Sequence, residues 1–598
     1  MHQVTEPSSL FLFSGLGMAM TFTGAATAMQ FQIPSVPAPV PEVFDIGVLS
    51  RGPFAMSEDF VVFRAAESAE GDLNGDGDTS DNVLHVFDIS ARTVTNLGIA
   101  VDQYVNSAPD FFRMNNNRVV IQVSEALYGT DANGDGDTGD EALLVYHCET
   151  GVLKNMGYAV SYTRPSFDGR WLTFVVNEQR DSRDHNSDGL LNAHVLFTYD
   201  ADMDVITNRV AHVQEYQWIM GLDGHVVFSK AESLGGPPSD LNLDGDVSDW
   251  VPHLLNLETG ATTNLGHASE WGGVSVVNER MAAFYVWESA DGGSDYNADG
   301  DSSDLVLFVH ETTTGTTTNT GLVIPFTGND GPLWAPNGVV CGDKYLFFVH
   351  ENANGPADMN GDGDTGDYVI HVFDLVTQQT TNLGLALQLG GTQQRLFSGE
   401  SGDAFFLVSE VQQQADLDGN GDLGGLIAYH YDPLTGLASN TATPTGCDLW
   451  DWQQSGEDVA VRVYEIEAGA DLNGDGLFMH VVMRRNSRTG GMVMVPFPGG
   501  HNIERIAISE RLTFGSAFEG SVDLTGDGDT IDRAGLIYDH QKRQVFNSGV
   551  SFPSGGMMPR IRGDLAAWGV LEAEEGEDLN GNGQLDSWVH DIHLVKFP

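Results

Sequence analysis

Asp72-Leu73-Asn74-Gly75-Asp76-Gly77-Asp78-Thr79-Ser80-Asp81 is followed 59 residues later by Asp131-Ala132-Asn133-Gly134-Asp135-Gly136-Asp137-Thr138-Gly139-Asp140. The phrase begins again at Asp184, Asp240, Asp295, Asp358, Asp416, Asp471, Asp523 and Asp578, at intervals of 52 to 63 residues. Ten copies in one chain define a repeat, and a repeat fold grows by adding units to a continuous core. That argument replaces the several separate domains that 598 residues would otherwise suggest.

The flanks repeat with the loop. An apolar run closing near a glutamate comes first: Phe60 to Glu67, Arg118 to Glu125, His225 to Glu232, Lys344 to Glu351. A second run follows the loop, as in Val83 to Asp88, Ala193 to Asp200 and Tyr368 to Asp374. A turn and a Thr-rich segment such as Thr93 to Gly98 or Thr380 to Gly384 then complete the unit. Short β-branched and aromatic runs between Gly, Asn and Asp are strands, and no ten-residue stretch between the loops keeps a 3.6-residue period. Each unit of about 56 residues therefore holds four strands, A to D, with the acidic loop joining B to C. The fold expected is an all-β propeller of about ten four-stranded blades spanning 43–598. The last unit stops after its C strand, while Val43-Phe44-Asp45-Ile46-Gly47-Val48 matches a D strand, so the two ends can share one blade and leave no open sheet edge. One closed ring is favoured; because about four to eight blades are usual, two rings stay open as an alternative.

The unit also resembles the blades of the TolB-like (PD40-type) propellers. Phe167-Asp168-Gly169-Arg170-Trp171-Leu172-Thr173-Phe174-Val175 is similar to that family's Asp-Gly strand entry, and Phe373-Asp374-Leu375 and Tyr431-Asp432-Pro433-Leu434-Thr435-Gly436 to its strand-C turn. The resemblance implies the fold; the long acidic B–C loops depart from that family's pattern.

Within each loop, oxygen-bearing side chains stand at positions 1, 3 and 5 and glycine at 6, and the fullest copies add acids at 7 and 10. Alternate residues of a tight loop aim their oxygens at one centre, and a hard cation such as calcium takes six to eight oxygens. No nitrogen or sulfur ligand recurs, which disfavours zinc and copper. The candidate ligands are Asp72, Asn74, Asp76, Asp78 and Asp81; Asp131, Asn133, Asp135, Asp137 and Asp140; Asp240, Asn242, Asp244, Asp246 and Asp249; Asp295, Asn297, Asp299, Asp301 and Asp304; and Asp358, Asn360, Asp362, Asp364 and Asp367. Asp523, Thr525, Asp527, Asp529 and Asp532 form a nearly complete ninth set. Weaker sets are Asp184, Asn186, Asp188 and Asn192; Asp416, Asp418, Asn420 and Asp422; Asp471, Asn473 and Asp475; and Asp578, Asn580, Asn582 and Asp586. Together they hold 33 of the chain's 85 acids, a density that repels itself without counter-ions. An EF-hand needs flanking helices and a glutamate at position 12, whereas Val83, Ala142, Val195, Val251, Val306, Val369 and Ile427 stand there. The loops resemble those of integrin α-chain propellers, with the last Asp usually one place later. The glutamates that end strand B (Glu67, Glu125, Glu178, Glu232, Glu288, Glu351 and Glu410) could reach across to complete each shell. The Asn of the Thr-rich segment (Asn96, Asn155, Asn208, Asn264, Asn319, Asn382) reads as a turn or bulge residue, and His85, His253 and His371 as packing.

A net charge of −58 excludes the basic footprint of a nucleic-acid binder and leaves cations as the obvious electrostatic partners. Cys148, Cys341 and Cys447 read as isolated thiols rather than a disulfide framework. Leu10 to Met20 is largely apolar and Ala26-Thr27-Ala28 resembles a cleavage site, so 1–28 reads as a signal peptide and 29–42 as a Pro-rich linker. No later run would insert in a membrane. Expected is a secreted or cell-surface, calcium-binding scaffold, binding or adhesion protein, holding up to about ten Ca²⁺ ions and meeting a protein, a glycan or a second copy of itself. A secreted lyase, hydrolase or peptidase, or a TolB-like periplasmic assembly partner, is the alternative; no GxSxG, HExxH or P-loop supports catalysis. Met483-Arg484-Arg485 is expected to be a solvated turn, and the aromatics of 334–341 and 447–452 packing residues.

Overall fold

A computed structural model of the chain describes residues 41–598, except 102–111, 162–164, 214–219, 223, 234–237, 270–273, 279, 325–337, 388–395, 399–401, 446–451, 457, 467, 487–491, 521, 554–557, 577 and 588. Residues 1–28, nearly all of 29–42, and Cys447 lie outside the described residues.

Among the described residues, forty strands form ten four-stranded antiparallel sheets. Blade 1 is typical: strand A is Ala55–Met56, B is Phe60–Ala66, C is Asn82–Asp88 and D is Thr93–Val101, hydrogen-bonded in that order. Blade 10 takes its D strand from the other end of the chain. Glu42–Asp45 lies antiparallel to Asp591–Lys596, with Val43 opposite Val595. The Ile46 N–H continues the ladder to the Ile592 carbonyl at 3.1 Å.

Burial explains why strands B and C read as unbroken apolar runs. Both faces of each are covered by neighbouring blades, so Phe60–Ala66 and Asn82–Asp88 are buried almost throughout, while strand D is exposed over its first half. Ten main hydrophobic clusters lie one at each blade junction. Val62 and Leu84 of blade 1 meet Ile121 and Leu144 of blade 2 in the first. Phe63 and Phe87 of blade 1 meet Leu565 and Ile592 of blade 10 in the one that closes the circle. A junction core between blade 10 and blade 1 makes this one ring of ten blades and removes the two-ring alternative.

In seven blades strand D carries a bulge opposite strand C. In blade 1 the pairing jumps from His85–Asn96 to Val83–Ala100, and Gly98 takes a φ of 62° inside the bulge. One sequence expectation fails here. Arg484 and Arg485 lie in a C strand, His480–Asn486, and both are buried. Arg484 pairs with Asp458 and donates to the Leu512, Ser509 and Glu510 carbonyls across the junction with blade 9, and Arg485 lies over the Phe405 ring at 5.4 Å. Two adjacent arginines look like a solvated turn until acceptors from neighbouring blades are in place.

Candidate metal centres in the B–C loops

Each acidic loop is clamped at its second residue by a glutamate, and eight of the ten also by an asparagine from strand D. Glu67, the first residue after strand B, turns its carboxylate under the loop. Its Oε1 accepts the Leu73 N–H at 2.8 Å and the Asn74 N–H at 3.2 Å, and its Oε2 the Asp81 N–H at 3.1 Å. From strand D, Asn96 donates Nδ2–H to the Leu73 carbonyl at 2.8 Å while its Oδ1 accepts the Gly98 N–H at 2.8 Å. The Asn is therefore a bulge residue, as its sequence suggests, and an anchor for the loop as well.

The same glutamate clamp recurs at Glu178, Glu351 and Glu410, for example. It also recurs at Glu465, Glu519 and Glu572, which the sequence reading missed although each follows the apolar run of a B strand. None of these seven is more than 1 % exposed. A buried carboxylate is tolerated because charge-assisted N–H bonds replace its water. Asn440 and Asn547 are further strand-D anchors that sequence reasoning did not single out.

Inside the loop the acids turn the backbone. Asp72 accepts the Gly75 and Gly77 N–H groups, Asn74 Oδ1 that of Asp76, and Asp76 Oδ1 that of Asp78. Asp78 accepts both N–H and O–H of Ser80, and these bonds hold its carboxyl below the usual range. Gly77 at position 6 takes a φ of 96°, which strongly favours glycine. Asp131, Asp184, Asp358, Asp416, Asp471, Asp523 and Asp578 accept the N–H of the glycine at position 6 in the same way.

These turns leave other oxygens converging. Glu67, Asp78 and Asp81 bring carboxylate oxygens within 4.8 Å of one another, as do Glu125, Asp137 and Asp140; Glu232, Asp246 and Asp249; Glu288, Asp301 and Asp304; and Glu351, Asp364 and Asp367. In the fourth loop Asp240 Oδ1, Asn242 Oδ1, Asp244 Oδ2 and Asp249 Oδ2, at positions 1, 3, 5 and 10, are all buried without a hydrogen-bond partner. Asp362 Oδ2 and Asp367 Oδ1 in the sixth loop, Asp418 Oδ2 in the seventh and Glu125 Oε2 beside the second are in the same condition. Burial first, then neighbouring carboxylates, push the position-10 acids up: Asp140 and Asp304 to about 6, Asp249 and Asp367 to about 7. Asp532 is likewise raised to about 7.

The loops also sit at blade junctions. The residue three places after the clamp glutamate accepts a backbone N–H from the D strand, or the residues just after it, of the preceding blade. Glu70 takes that of Leu49 at 2.8 Å, Asp181 that of Ala159 at 2.6 Å, Asp291 that of Ala268 at 2.7 Å, and Asn354 that of Val323 at 2.7 Å. Position 3 can reach the same latch: Asn242 donates to Asp291 Oδ1 and Asn580 to Glu70 Oε1, both at 3.0 Å.

The recurrent histidines pack. His85, His253 and His371 bond the carbonyls of Val83, Val251 and Val369 and stack on Phe63, Phe228 and Phe347, and burial lowers the pKa of each. Cys148 and Cys341 are buried free thiols, both pushed up to about 12 by burial. The Asp-Gly turn of the third blade is held by Asp168 Oδ1, which accepts the Arg170 and Trp171 N–H groups.

No protein-family model matches the chain, and no curated protein does. Among solved structures it is similar to the β-propeller domain of the Trilobed protease from Pyrococcus furiosus, at 9% identity over 65% of this chain and 97% of that one, with a TM-score of 0.26. It is also similar to Porphyromonas gingivalis dipeptidyl peptidase 4 (9% identity, 89% and 65% covered, TM-score 0.34) and to Saccharomyces cerevisiae Sqt1 (10% identity, 76% and 97% covered, TM-score 0.30).

Proposed function

We propose that this chain is an extracellular scaffold or binding propeller whose B–C loops take up calcium to brace the ring. The observation that carries the proposal is the fourth loop, where positions 1, 3, 5 and 10 each present a buried oxygen with no hydrogen-bond partner. Buried polar atoms are normally satisfied, and four unsatisfied oxygens in one loop are the donor set of a hard cation. Asp240, Asn242, Asp244 and Asp249 would hold the ion there, and the equivalent residues of the first, second, fifth, sixth and ninth loops would do so in theirs. Where Asn Nδ2 now faces the closing acid, as in Asn297–Asp304 at 2.9 Å, uptake would turn the amide so that its oxygen faces inward.

The role that fits is structural. Each loop is tied through a buried glutamate to its own blade, and several are latched to the preceding one, so an ion would stiffen a junction rather than present an open coordination position. At ten times a Kd of about 10⁻⁴–10⁻³ M, usual for extracellular modules, one site would add roughly 1.4 kcal/mol. Six such sites would add about 8 kcal/mol, comparable with the whole stability of a typical domain. Folding would then depend on extracellular calcium, which agrees with the signal-like N-terminus. The partner is a protein or glycan met on the faces of the ring. Thermal melts in EDTA and across a calcium titration, with magnesium as control, test the reading. A large calcium-specific rise in Tm supports it, and no rise removes it.

A further inference from the structure

The fourth loop differs from the other four complete loops in the amide at position 3. In the first, second, fifth and sixth loops the Oδ1 of Asn74, Asn133, Asn297 and Asn360 accepts the backbone N–H at position 5. The Nδ2 of each donates to the closing acid, Asp81, Asp140, Asp304 or Asp367, at 2.9–3.3 Å. In the sixth loop the Gln412 carbonyl accepts a second Nδ2 hydrogen, and the closing acid keeps the first. To offer oxygen to an ion, these amides must leave the closing acid and turn. Asn242 is already turned. Its Nδ2 donates to Asp291 Oδ1 at 3.0 Å, and its Oδ1 is one of the four buried oxygens of this loop that have no partner.

Asp291 belongs to the next blade. It stands three places after the Glu288 clamp of blade 5 and is 5 % exposed. Its Oδ1 accepts the Ala268 N–H at 2.7 Å together with Asn242 Nδ2. Its Oδ2 accepts from His267 Nδ1 at 2.8 Å and from the Tyr296 O–H at 2.5 Å. His267 and Ala268 follow the D strand of blade 4, Thr262–Asn264, and Tyr296 is position 2 of the fifth loop. Donors from both blades therefore fix this carboxylate in place. An ionised carboxylate only accepts hydrogen bonds, so it selects the Nδ2 end of Asn242 and leaves the oxygen end free. In the other complete loops the closing acid makes that selection from inside the loop.

From this geometry we infer that Asp291 is a positioning residue for the fourth site: it holds Asn242 with its oxygen free to ligate, so this loop takes up calcium before the other complete loops, and blade 5 helps to build the site of blade 4. The inference rests on the calcium reading of these loops and adds the order in which they fill. A pre-turned amide avoids breaking one charge-assisted hydrogen bond on uptake, which corresponds to about tenfold in affinity.

Amide hydrogen exchange of the full chain across a calcium titration tests it, read separately on peptides covering 240–249, 295–304 and 358–367. Protection of 240–249 should reach its midpoint at about tenfold less calcium than the other two. Asp291→Ala frees Asn242 to turn towards Asp249. It should raise the midpoint of the fourth loop by about tenfold and leave that of 358–367 unchanged. Asp291→Asn keeps an oxygen for Asn242 and Ala268 and should keep the parent's order of filling. On an Asn242→Ala background, Asp291→Ala should shift the fourth loop no further, whereas a residue that merely braced the junction would shift it again. The inference is overturned if the fourth loop fills with or after the others, or if Asp291→Ala shifts it equally with and without Asn242. Exchange that calcium slows in none of the three loops removes the calcium reading as well.

Discussion

Replacing Asp249 by Asn should change blade 4 in opposite directions with and without calcium. Burial, with Asp246 and Asp244 beside it, pushes the Asp249 carboxyl from 3.8 to about 7. A rise of that size corresponds to roughly 4 kcal/mol against the ionised form, and solvent screening at this partly exposed position brings it to about 2 kcal/mol. In EDTA at pH 8 the neutral amide removes that repulsion, so Asp249→Asn should stabilise the loop by about 2 kcal/mol. Local opening would then be roughly thirtyfold rarer. Calcium at a hundred times Kd adds about 2.7 kcal/mol to the parent, whereas the variant has lost a charged ligand and gains little. The parent should then overtake the variant by about 0.7 kcal/mol, roughly threefold in exchange rate. Amide hydrogen exchange of peptides covering the hairpin of strands His225–Ala231 and Trp250–Asn256 reads this blade alone. The reasoning is refuted if the variant exchanges faster in EDTA, or if calcium slows parent and variant equally.

Further expectations follow from the same loops and from the ring closure. Because Asp249 and Asp367 have raised folded pKa values near 7, the folded apo chain binds protons more tightly than the unfolded chain. Apo stability should therefore rise as pH falls through 7 towards 3.8, while calcium affinity falls about tenfold per pH unit below 7 at each such site; melts in EDTA and calcium titrations between pH 5 and 8 check both. Glu351→Ala should cost about 3–6 kcal/mol locally, since it orphans the Met359, Asn360 and Asp367 N–H groups; unlike Asp249→Asn it should speed exchange of the sixth loop in EDTA and in calcium alike. Removing residues 1–46 takes away the D strand of blade 10 and leaves Asp591–Lys596 as an open edge; self-association on size-exclusion chromatography is expected, and a monomer as stable as the parent would show that the shared blade contributes little to closure.

How much of this was legible in the chain depends on the range of each interaction. The ten loops, the strand order within a blade and the oxygens at positions 1, 3 and 5 are local, because a tight turn needs Asp, Asn and Gly at fixed offsets and an alternating or continuous apolar run decides which strand is covered. The sharing of one blade by the two ends was legible too, since Val43 to Val48 repeats a D strand that the last unit lacks. Ring closure itself needed the junction core that joins Phe63 to Leu565. Arg484 was misread because its acceptors come from residues 458 and 509–513, in another strand and the next blade. The latch from Glu70 to Leu49 was equally invisible, whereas Glu465, Glu519 and Glu572 carry the same signal as the other clamps, an apolar B strand ending at a glutamate, and were overlooked. Sequence determined the repeating unit and its acidic loops, because turn chemistry and strand burial act over a few residues. Tertiary structure decided which carboxylates are clamps, which oxygens are left facing one another, and which arginines are buried between blades, because a buried charge is stable only where groups from other strands or other blades satisfy it.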